Sequence, residues 1–474
     1  MAQQEEPYYR LTDDNLKIVN VAIKGYTRKV TSSWPKEEYY AYKIIALTKY
    51  VVESSSVEEK ADRLKEGDKP EADKPTEDKP EGDQLEGVKP DAEGTGEDTK
   101  DSSVGGSKKN GGNQHRWEMW RRYSEFELLR NFLQAVYPHA VIPPLPEKRF
   151  QGNASLLNKI TTGEDFGFLS RRAQSLETFL LRVSRHPILS KNKWFHEFLY
   201  MNGWKESIGH SGYKEVAESP FRSFSFSYSP KVADSRFVDV KSYSNELETV
   251  VAALLQIRET VNNKLKAVHK IHSDYAKTYT ELSDSETTLG ASMQAAAGNM
   301  DAYADLIDVY LEEEELRYHL PLKEYQNYCE SLRGVVRRQE MLQCKVEKSE
   351  NLLFSKAEEK DNLQKRDPGS GSGFSLRVLG TKLRGGDSSY NGIMEQVDSE
   401  LKEADSQLKQ NQQQLDEFVA ESMAELARFN TQKVSDFRSM LINYVQLQMH
   451  LHRQGMNIWE RLRQAFETSS LRLT

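Results

Sequence analysis

The chain has 474 residues and a net charge of −8, with 29% charged side chains, a size that accommodates two to four domains. Its two cysteines, Cys329 and Cys344, make neither a disulfide framework nor a CxxC pair, so a reducing compartment is expected. The opening stretch MAQQEEPYYR has no basic or apolar leader region, and no apolar run approaches the ~20 residues needed to cross a bilayer; any membrane contact is expected from the cytosolic side.

In chain order, LKIVNVAI (16–23) and EYYAYKIIALTKYVV (38–52) are rich in Ile, Val and Tyr and predict strands. The composition then changes. Residues 54–114 repeat DKP, lack aromatics almost entirely and end in GGSKKNGG. They bury too little apolar surface to offset ordering entropy, which predicts a disordered insert within the first domain. Residues 51–103 carry 18 acidic and 8 basic side chains, so the chain outside them is near +2 and charge arguments must be local. Such an insert is tolerable because closure entropy grows only logarithmically with length.

Order is expected to resume at Arg116, with RWEMW leading into a helix over 124–136 that Pro138 ends. VIPPLPEKRF (141–150) is held extended by its prolines. FLSRRAQSLETFLLRV (168–183) predicts a second amphipathic helix, and a third is expected near 192–200. A linker follows, whose SPFRSFSFSYSP alternation and prolines suit extended chain better than an amphipathic helix.

From about 235 to 366 and again from about 393 to 468 the pattern is helical. Leu401, Leu408 and Leu415 repeat every seven residues, as do Phe437, Tyr444, Leu451 and Ile458, with Val434, Leu441 and Leu447 or Gln448 at intermediate steps. A helix of about 70 residues is roughly 105 Å long and needs partners of similar length. Gly290 to Met300 is expected to join two helices or kink one, and Pro321 to kink or interrupt another. Residues 367–392, rich in Gly and Ser, separate the last two helices.

The cationic candidates gather at three places: Arg121-Arg122-Tyr123 at a strand-to-helix junction, Lys148 on the proline path, and Arg171-Arg172 on the second helix. Guanidinium groups grip phosphate bidentately and an aromatic face packs on a sugar-like ring, a combination suited to a phosphorylated polyol. No nucleophile–base arrangement or phosphate-gripping GxxxxGK appears, so an enzyme is not expected. GSGSG (369–373) follows no strand and is read as linker, and His269 with His272 lacks a third metal ligand.

RRYSEFELL, PPLPEKR and SRRAQSLETFLLR, in that order, resemble the phox-homology (PX) domain over about residues 8–203, apart from the insert. The resemblance implies an α+β fold, a three-stranded sheet plus helices, that binds phosphatidylinositol 3-phosphate as its lipid ligand. By position, Arg122 would contact the 3-phosphate, Tyr123 would stack on the inositol, Lys148 would meet the 1-phosphate and Arg172 the 4- and 5-hydroxyls; Arg121 is read as surface charge. The loop after Lys148 would enter lipid, with Phe150, Leu156 and Leu157 as candidates. After a linker at 204–234, residues 235–474 resemble a BAR domain, an all-α antiparallel three-helix bundle with a tip loop at 367–392. That loop mixes Phe374, Leu376, Val378 and Leu379 with basic residues, which suits shallow insertion at anionic membrane.

The pairing resembles PX–BAR sorting nexins. It implies a peripheral protein of early or recycling endosomes, acting as a homodimer or as a heterodimer with another PX–BAR nexin. Such a dimer would sense or induce curvature, sort membrane cargo into recycling tubules and serve autophagy; no nucleic acid, metal or cofactor is implied. Lys264, Lys266, Lys270, Arg333, Arg337, Arg338, Lys356 and Lys360 are candidates for a membrane-facing surface. The alternative is a coiled-coil scaffold whose PX-like domain binds protein instead of lipid.

Overall fold

A computed structural model describes residues 16–31, 36, 38–50, 108–110, 114–148, 164–210, 229–365 and 390–470. β1 (Leu16–Val30) and β2 (Glu38–Tyr50) form an antiparallel pair, and β2 pairs in turn with β4 (Gln114–Arg122). These are the three strands expected from the sequence. The late part of the expected insert adds a three-residue edge strand, β3 (Lys108–Asn110), so the sheet order is β1-β2-β4-β3. β1 runs past the predicted end at Ile23 because a bulge between Ile23 and Tyr26 absorbs a register shift, with Gly25 at φ 148° supplying a conformation that side-chain-bearing residues avoid. The remainder of the insert lies outside the described residues.

Helices α1 (Tyr123–Val136), α2 (Glu164–Arg185) and α3 (Lys193–Tyr200) cover one sheet face. Alternate residues of β2, Tyr42, Ile44 and Ala46, meet Phe126, Leu129, Phe132 and Leu133 of α1 and Leu176, Phe179 and Leu180 of α2 in one core. This is the period-2 strand face packed against period-3.6 helix faces. The chain then enters α4 (Trp204–His210), where a plain linker was expected. Trp204 and Ile208 are fully buried and complete the core, and the Trp204 indole donates to the Trp194 carbonyl at 2.9 Å.

The second half is a bundle of α5 (Ser235–Ser285), α6 (Gly290–Glu314), α7 (Leu320–Gln364) and α8 (Tyr390–Ser470). Gly290 begins a helix after a short turn, so that small-residue stretch joins α5 to α6. Pro321 neither ends nor interrupts the path. A single π-turn, Glu315–His319, joins α6 to α7 immediately before it, and Pro321 falls in the first turn of α7, where a missing N–H costs little. α6, the π-turn and α7 therefore act as one long helix, and the bundle has three long members. At this junction Arg258 of α5 reaches Glu314 at 2.6 Å and Glu315 at 2.5 Å, and Asn262 donates to Glu314 at 3.0 Å. Glu314 is only 1% exposed, so its charge is tolerable only with these partners.

The predicted seam is largely internal: Leu415, Leu451 and Ile458 are buried, Leu408 and Phe437 pack against a core cluster, and Tyr444 meets Tyr318 at 4.7 Å. Val434 and Leu441 differ, at 59% and 52% exposed. The seam takes its intermediate residues three positions after Phe437 and Tyr444, at buried Met440 and Leu447, which turns the positions three before Phe437 and Tyr444 outward. Four of the cations assigned to a membrane-facing surface are ion-paired within the bundle: Arg333 to Glu248 and Glu330, Arg337 to Glu330, Lys356 to Glu400, and Lys360 to Asp398. The linker core SPFRSFSFSYSP, up to Tyr228, and residues 366–389 lie outside the described residues.

The two halves share a polar interface. Glu425 of α8, 5% exposed, accepts hydrogen bonds from the Val141 N–H at 3.1 Å, the His186 ring at 3.2 Å and the Arg428 guanidinium at 2.7 Å. His186 Nδ1 accepts from the N–H groups of Ile188 and Leu189, so the ring proton belongs on Nε2 and is donated to Glu425. Arg182 of α2 bridges Glu324 at 3.0 Å and Asp436 at 2.7 Å.

Burial alone would raise the Glu425 carboxyl, but the Arg428 and His186 hydrogen bonds outweigh it and hold the group down at about 2. Because the folded pKa lies below the unfolded value of 4.5, the stabilisation is complete above about pH 4.5 and is lost as pH falls towards 2. Glu425→Gln should therefore lower stability by on the order of 3 kcal/mol at neutral pH, and the gap to the parent chain should close as pH falls through that window. Denaturant unfolding of both proteins across pH checks this; a gap independent of pH contradicts it.

Candidate functional site

The strand-to-helix junction is fixed by Glu125. Arg122 is extended (φ −87°, ψ 159°) and its backbone N–H donates to the Glu125 carboxylate at 2.8 Å, while Tyr123 opens α1. This is one half of a capping box, with glutamate at the third helical position. It places the side chains of Arg121 and Arg122 on opposite faces of the sheet, as strand alternation requires.

Arg121 is 4% exposed, against the surface-charge reading. It donates from Nε to the Phe198 carbonyl at 2.9 Å and from Nη2 to the Met201 carbonyl at 2.6 Å, pairs with Glu125 at 3.5 Å, and packs over the Phe198 and Trp204 rings. It satisfies the end of α3, where carbonyls lack helical partners. Sequence spacing alone identifies neither arginine as the buried one. The informative signal is the alternation that makes Met119 and Arg121 one face and Trp120 and Arg122 the other.

Arg122, half-buried, has no carboxylate partner among the described residues and lies 5.7 Å over the Tyr39 ring. Tyr123 donates its hydroxyl to the Pro146 carbonyl at 2.5 Å. Burial, reinforced by Glu127, pushes its pKa up to about 12, so the hydroxyl stays protonated and keeps that bond across the neutral range. The Arg172 guanidinium sits 4.6 Å from the centroids of both Tyr123 and Phe168, an arrangement that uses the negative faces of both rings. It donates to the Glu147 carbonyl at 3.1 Å, and its Nε is buried without a partner among the described residues. Lys148 is exposed and pairs with Glu127 of α1 at 2.8 Å.

Tyr123, Arg172 and the proline path thus converge, while Lys148 and Arg122 stand at the margins. Phe168, Glu127, Glu147 and Pro146 are participants that sequence reading did not single out. Phe150, Leu156, Leu157, Phe374, Leu376, Val378 and Leu379 lie outside the described residues.

The proline path is held from behind. Arg130 of α1 donates to the Pro143 carbonyl at 3.2 Å and to Ser331 of α7 at 3.2 Å, and Ser331 donates to the Ile142 carbonyl at 2.8 Å. Arg171, next to Arg172, pairs with Glu315 of the π-turn at 3.5 Å, and Glu147 pairs with Lys323 of α7 at 2.9 Å. A cleft of about 200 Å³ opens between Pro144–Glu147, Phe168–Arg172 and the π-turn region. Arg171, Arg172 and Lys323 line that cleft, whereas Tyr123, Arg122 and Lys148 do not line it; Tyr123 joins the site through Arg172 and the Pro146 carbonyl.

Replacing Arg121 by Met leaves the Phe198 and Met201 carbonyls without their donors. The expected cost is about 2–4 kcal/mol, seen as a lower unfolding midpoint, and Lys should recover only part of it because it lacks the planar fork. An unchanged midpoint contradicts the clamp.

The PX domain family matches residues 109–202, and the family described as Vps5 C terminal like matches residues 380–465. Sorting nexin-4 of Bos taurus is 38% identical over 352 residues, covering 73% of this chain and 77% of that protein. Sorting nexin-4 of Homo sapiens is 38% identical over 357 residues with the same coverage, and sorting nexin-4 of Eremothecium gossypii is 24% identical, covering 73% of this chain and 86% of that one. Among solved structures, the cryo-EM structure of the SNX-BAR Mvp1 tetramer aligns with a TM-score of 0.56 at 14% identity, over 94% of this chain and 99% of that one, a likeness of fold. A PX domain docked on a Vps5-like helical region, with relatives this similar over this much of their length, makes the chain a member of the sorting nexin family, of the PX–BAR kind.

Proposed function

We propose that this chain is a peripheral membrane-trafficking adaptor that binds phosphatidylinositol 3-phosphate on the cytosolic face of endosomes and acts by binding, not catalysis. The observation that carries the reading is the meeting of Tyr123, Arg172 and the proline path at one depression, with Arg122 free of any carboxylate among the described residues. Arg122 grips the 3-phosphate, Tyr123 offers its ring to the inositol, Lys148 leaves Glu127 for the 1-phosphate, and Arg172 meets the hydroxyls. The insertion candidates after Lys148 and in the tip loop add apolar contact with the bilayer.

The bundle acts as a dimer, with itself or with another PX–BAR nexin. Ile257, Val261, Ile271 and Tyr275 of α5 are 44–61% exposed at helical spacing. Val445, Met449, Met456 and Trp459 of α8 form a similar stripe, 45–72% exposed. Apolar stripes this long are larger than soluble monomers usually expose. Two lipid sites on one rigid dimer gain avidity without new contacts, which suits recruitment to curved, tubular endosomes for cargo recycling and an autophagy role.

Arg122→Ala should weaken binding to vesicles containing phosphatidylinositol 3-phosphate by about 2–4 kcal/mol while leaving the unfolding midpoint near that of the parent. Sedimentation with matched vesicles lacking the lipid is the control; equal binding by parent and variant removes the site assignment and favours a protein-binding scaffold. Separately, Ile257→Asp with Val445→Asp should yield monomers in analytical ultracentrifugation, whereas a retained dimer would show that these stripes are not the interface.

A further inference from the structure

The sheet face opposite the helices carries its own chemistry. Strand alternation places Arg116, Glu118, Trp120 and Arg122 of β4 on that face, and the register puts Lys43 beside Trp120 and Ala41 beside Arg122. Across β2, Tyr39 pairs with Lys29 of β1. Contacts link these positions into one patch. The Lys29 ammonium lies 4.8 Å from the Trp120 ring centroid, and the Arg122 guanidinium lies over Tyr39.

Its charge is positive. Glu118 is the one carboxylate among these positions and is shared by Lys43 at 2.9 Å and Arg116 at 2.7 Å. Lys29 and Arg122 have no carboxylate partner among the described residues. In a chain of net charge −8, these positions therefore present four cations against one anion. Trp120 is 38% exposed, although an indole of its size is ordinarily buried. A cation held on an aromatic face resists salt and dehydration better than an isolated lysine. Indoles favour the headgroup level of a bilayer, where the ring meets apolar matter and the N–H meets oxygen.

We propose that this outer sheet face, centred on Trp120 and Lys29, is a second lipid contact that takes the anionic bilayer surface itself, through phosphatidylserine-like headgroups, independently of the phosphoinositide depression. Its continuity with Arg122 favours a bilayer over an acidic peptide. The inference rests on the membrane reading above and not on the roles assigned to Tyr123, Lys148 or Arg172. The patch confers attraction to anionic membrane without headgroup selectivity, and the depression confers the selectivity.

Vesicle sedimentation of the full chain separates the two. The probes are phosphatidylcholine vesicles with phosphatidylserine, and the same vesicles with added phosphatidylinositol 3-phosphate. Lys29→Ala should weaken binding to both about fivefold, the equivalent of the ~1 kcal/mol contributed by one lysine near an anionic surface. Lys29→Glu should weaken it by on the order of tenfold or more, and the loss should shrink as salt shortens the Debye length. In both variants the ratio between the two vesicle types should stay at the parent value. Quenching by lipids brominated on the upper acyl chain should include a component that Trp120→Phe removes, in a protein whose unfolding midpoint matches the parent. Parent-like vesicle binding by Lys29→Glu, no parental binding to phosphatidylserine vesicles, or quenching unchanged in Trp120→Phe each overturn the proposal. A parent with no preference for phosphatidylinositol 3-phosphate refutes the depression assignment alone, and the phosphatidylserine response still decides this one.

Discussion

One buried carboxylate ties the two halves together. Glu425 of the last helix accepts from Val141, at the start of the proline path, and from His186, at the end of α2. Those two elements carry Lys148 and Arg172. A carboxylate 5% exposed is costly unless every oxygen is engaged, and Arg428 supplies the remaining donors. Undocking the PX domain would strip Glu425 of two donors and expose Val141, which packs in the bundle's own core with Phe237 and Tyr325. Docking is thus enforced jointly by apolar burial and by polar satisfaction.

This coupling bears on the proposed lipid-binding role. Arg171 leans on the π-turn and Glu147 on Lys323, so both walls of the depression are braced by the helix that passes beneath them. The π-turn has a structural cause, the need to pass Pro321 without breaking a long helix, and it also presents Glu315 to Arg171. Braced in this way, the proposed headgroup site would hold a fixed angle to the long axis of the bundle. Under the proposed function, a dimer of such units would meet a curved surface with two lipid sites already oriented, and little ordering entropy would be lost on binding.

Much of this was legible in the sequence because it depends on local periodicity. The α1 and α2 faces, the proline path and the heptads of α8 follow from spacing alone, and the positions of Arg122, Tyr123, Lys148 and Arg172 followed from ordered motifs. What escaped is non-local. Arg121 and Arg122 are adjacent and chemically identical, and only their sides of the sheet make one a buried clamp and the other an open cation. Arg333, Lys356 and Lys360 looked like free charge until Glu248, Glu400 and Asp398 on other helices were known, and Arg337 until it was seen to reach Glu330 two turns back on its own helix. Val434 and Leu441 looked internal because a seven-residue repeat does not say on which side of each seam residue the intermediate position falls; Met440 and Leu447 take it. Glu425, the residue that unites the halves, has no sequence signature among the chain's many glutamates.

The central claim is that a docked PX domain takes a phosphorylated inositol at the junction of Arg122, Tyr123 and Arg172. Hydrogen–deuterium exchange of the full chain with soluble inositol 1,3-bisphosphate tests it most directly. The account predicts new protection in the peptides spanning the end of β4 with the first turn of α1, the proline path and the start of α2, with the bundle unchanged. Protection elsewhere, or none at a saturating headgroup concentration, would contradict it.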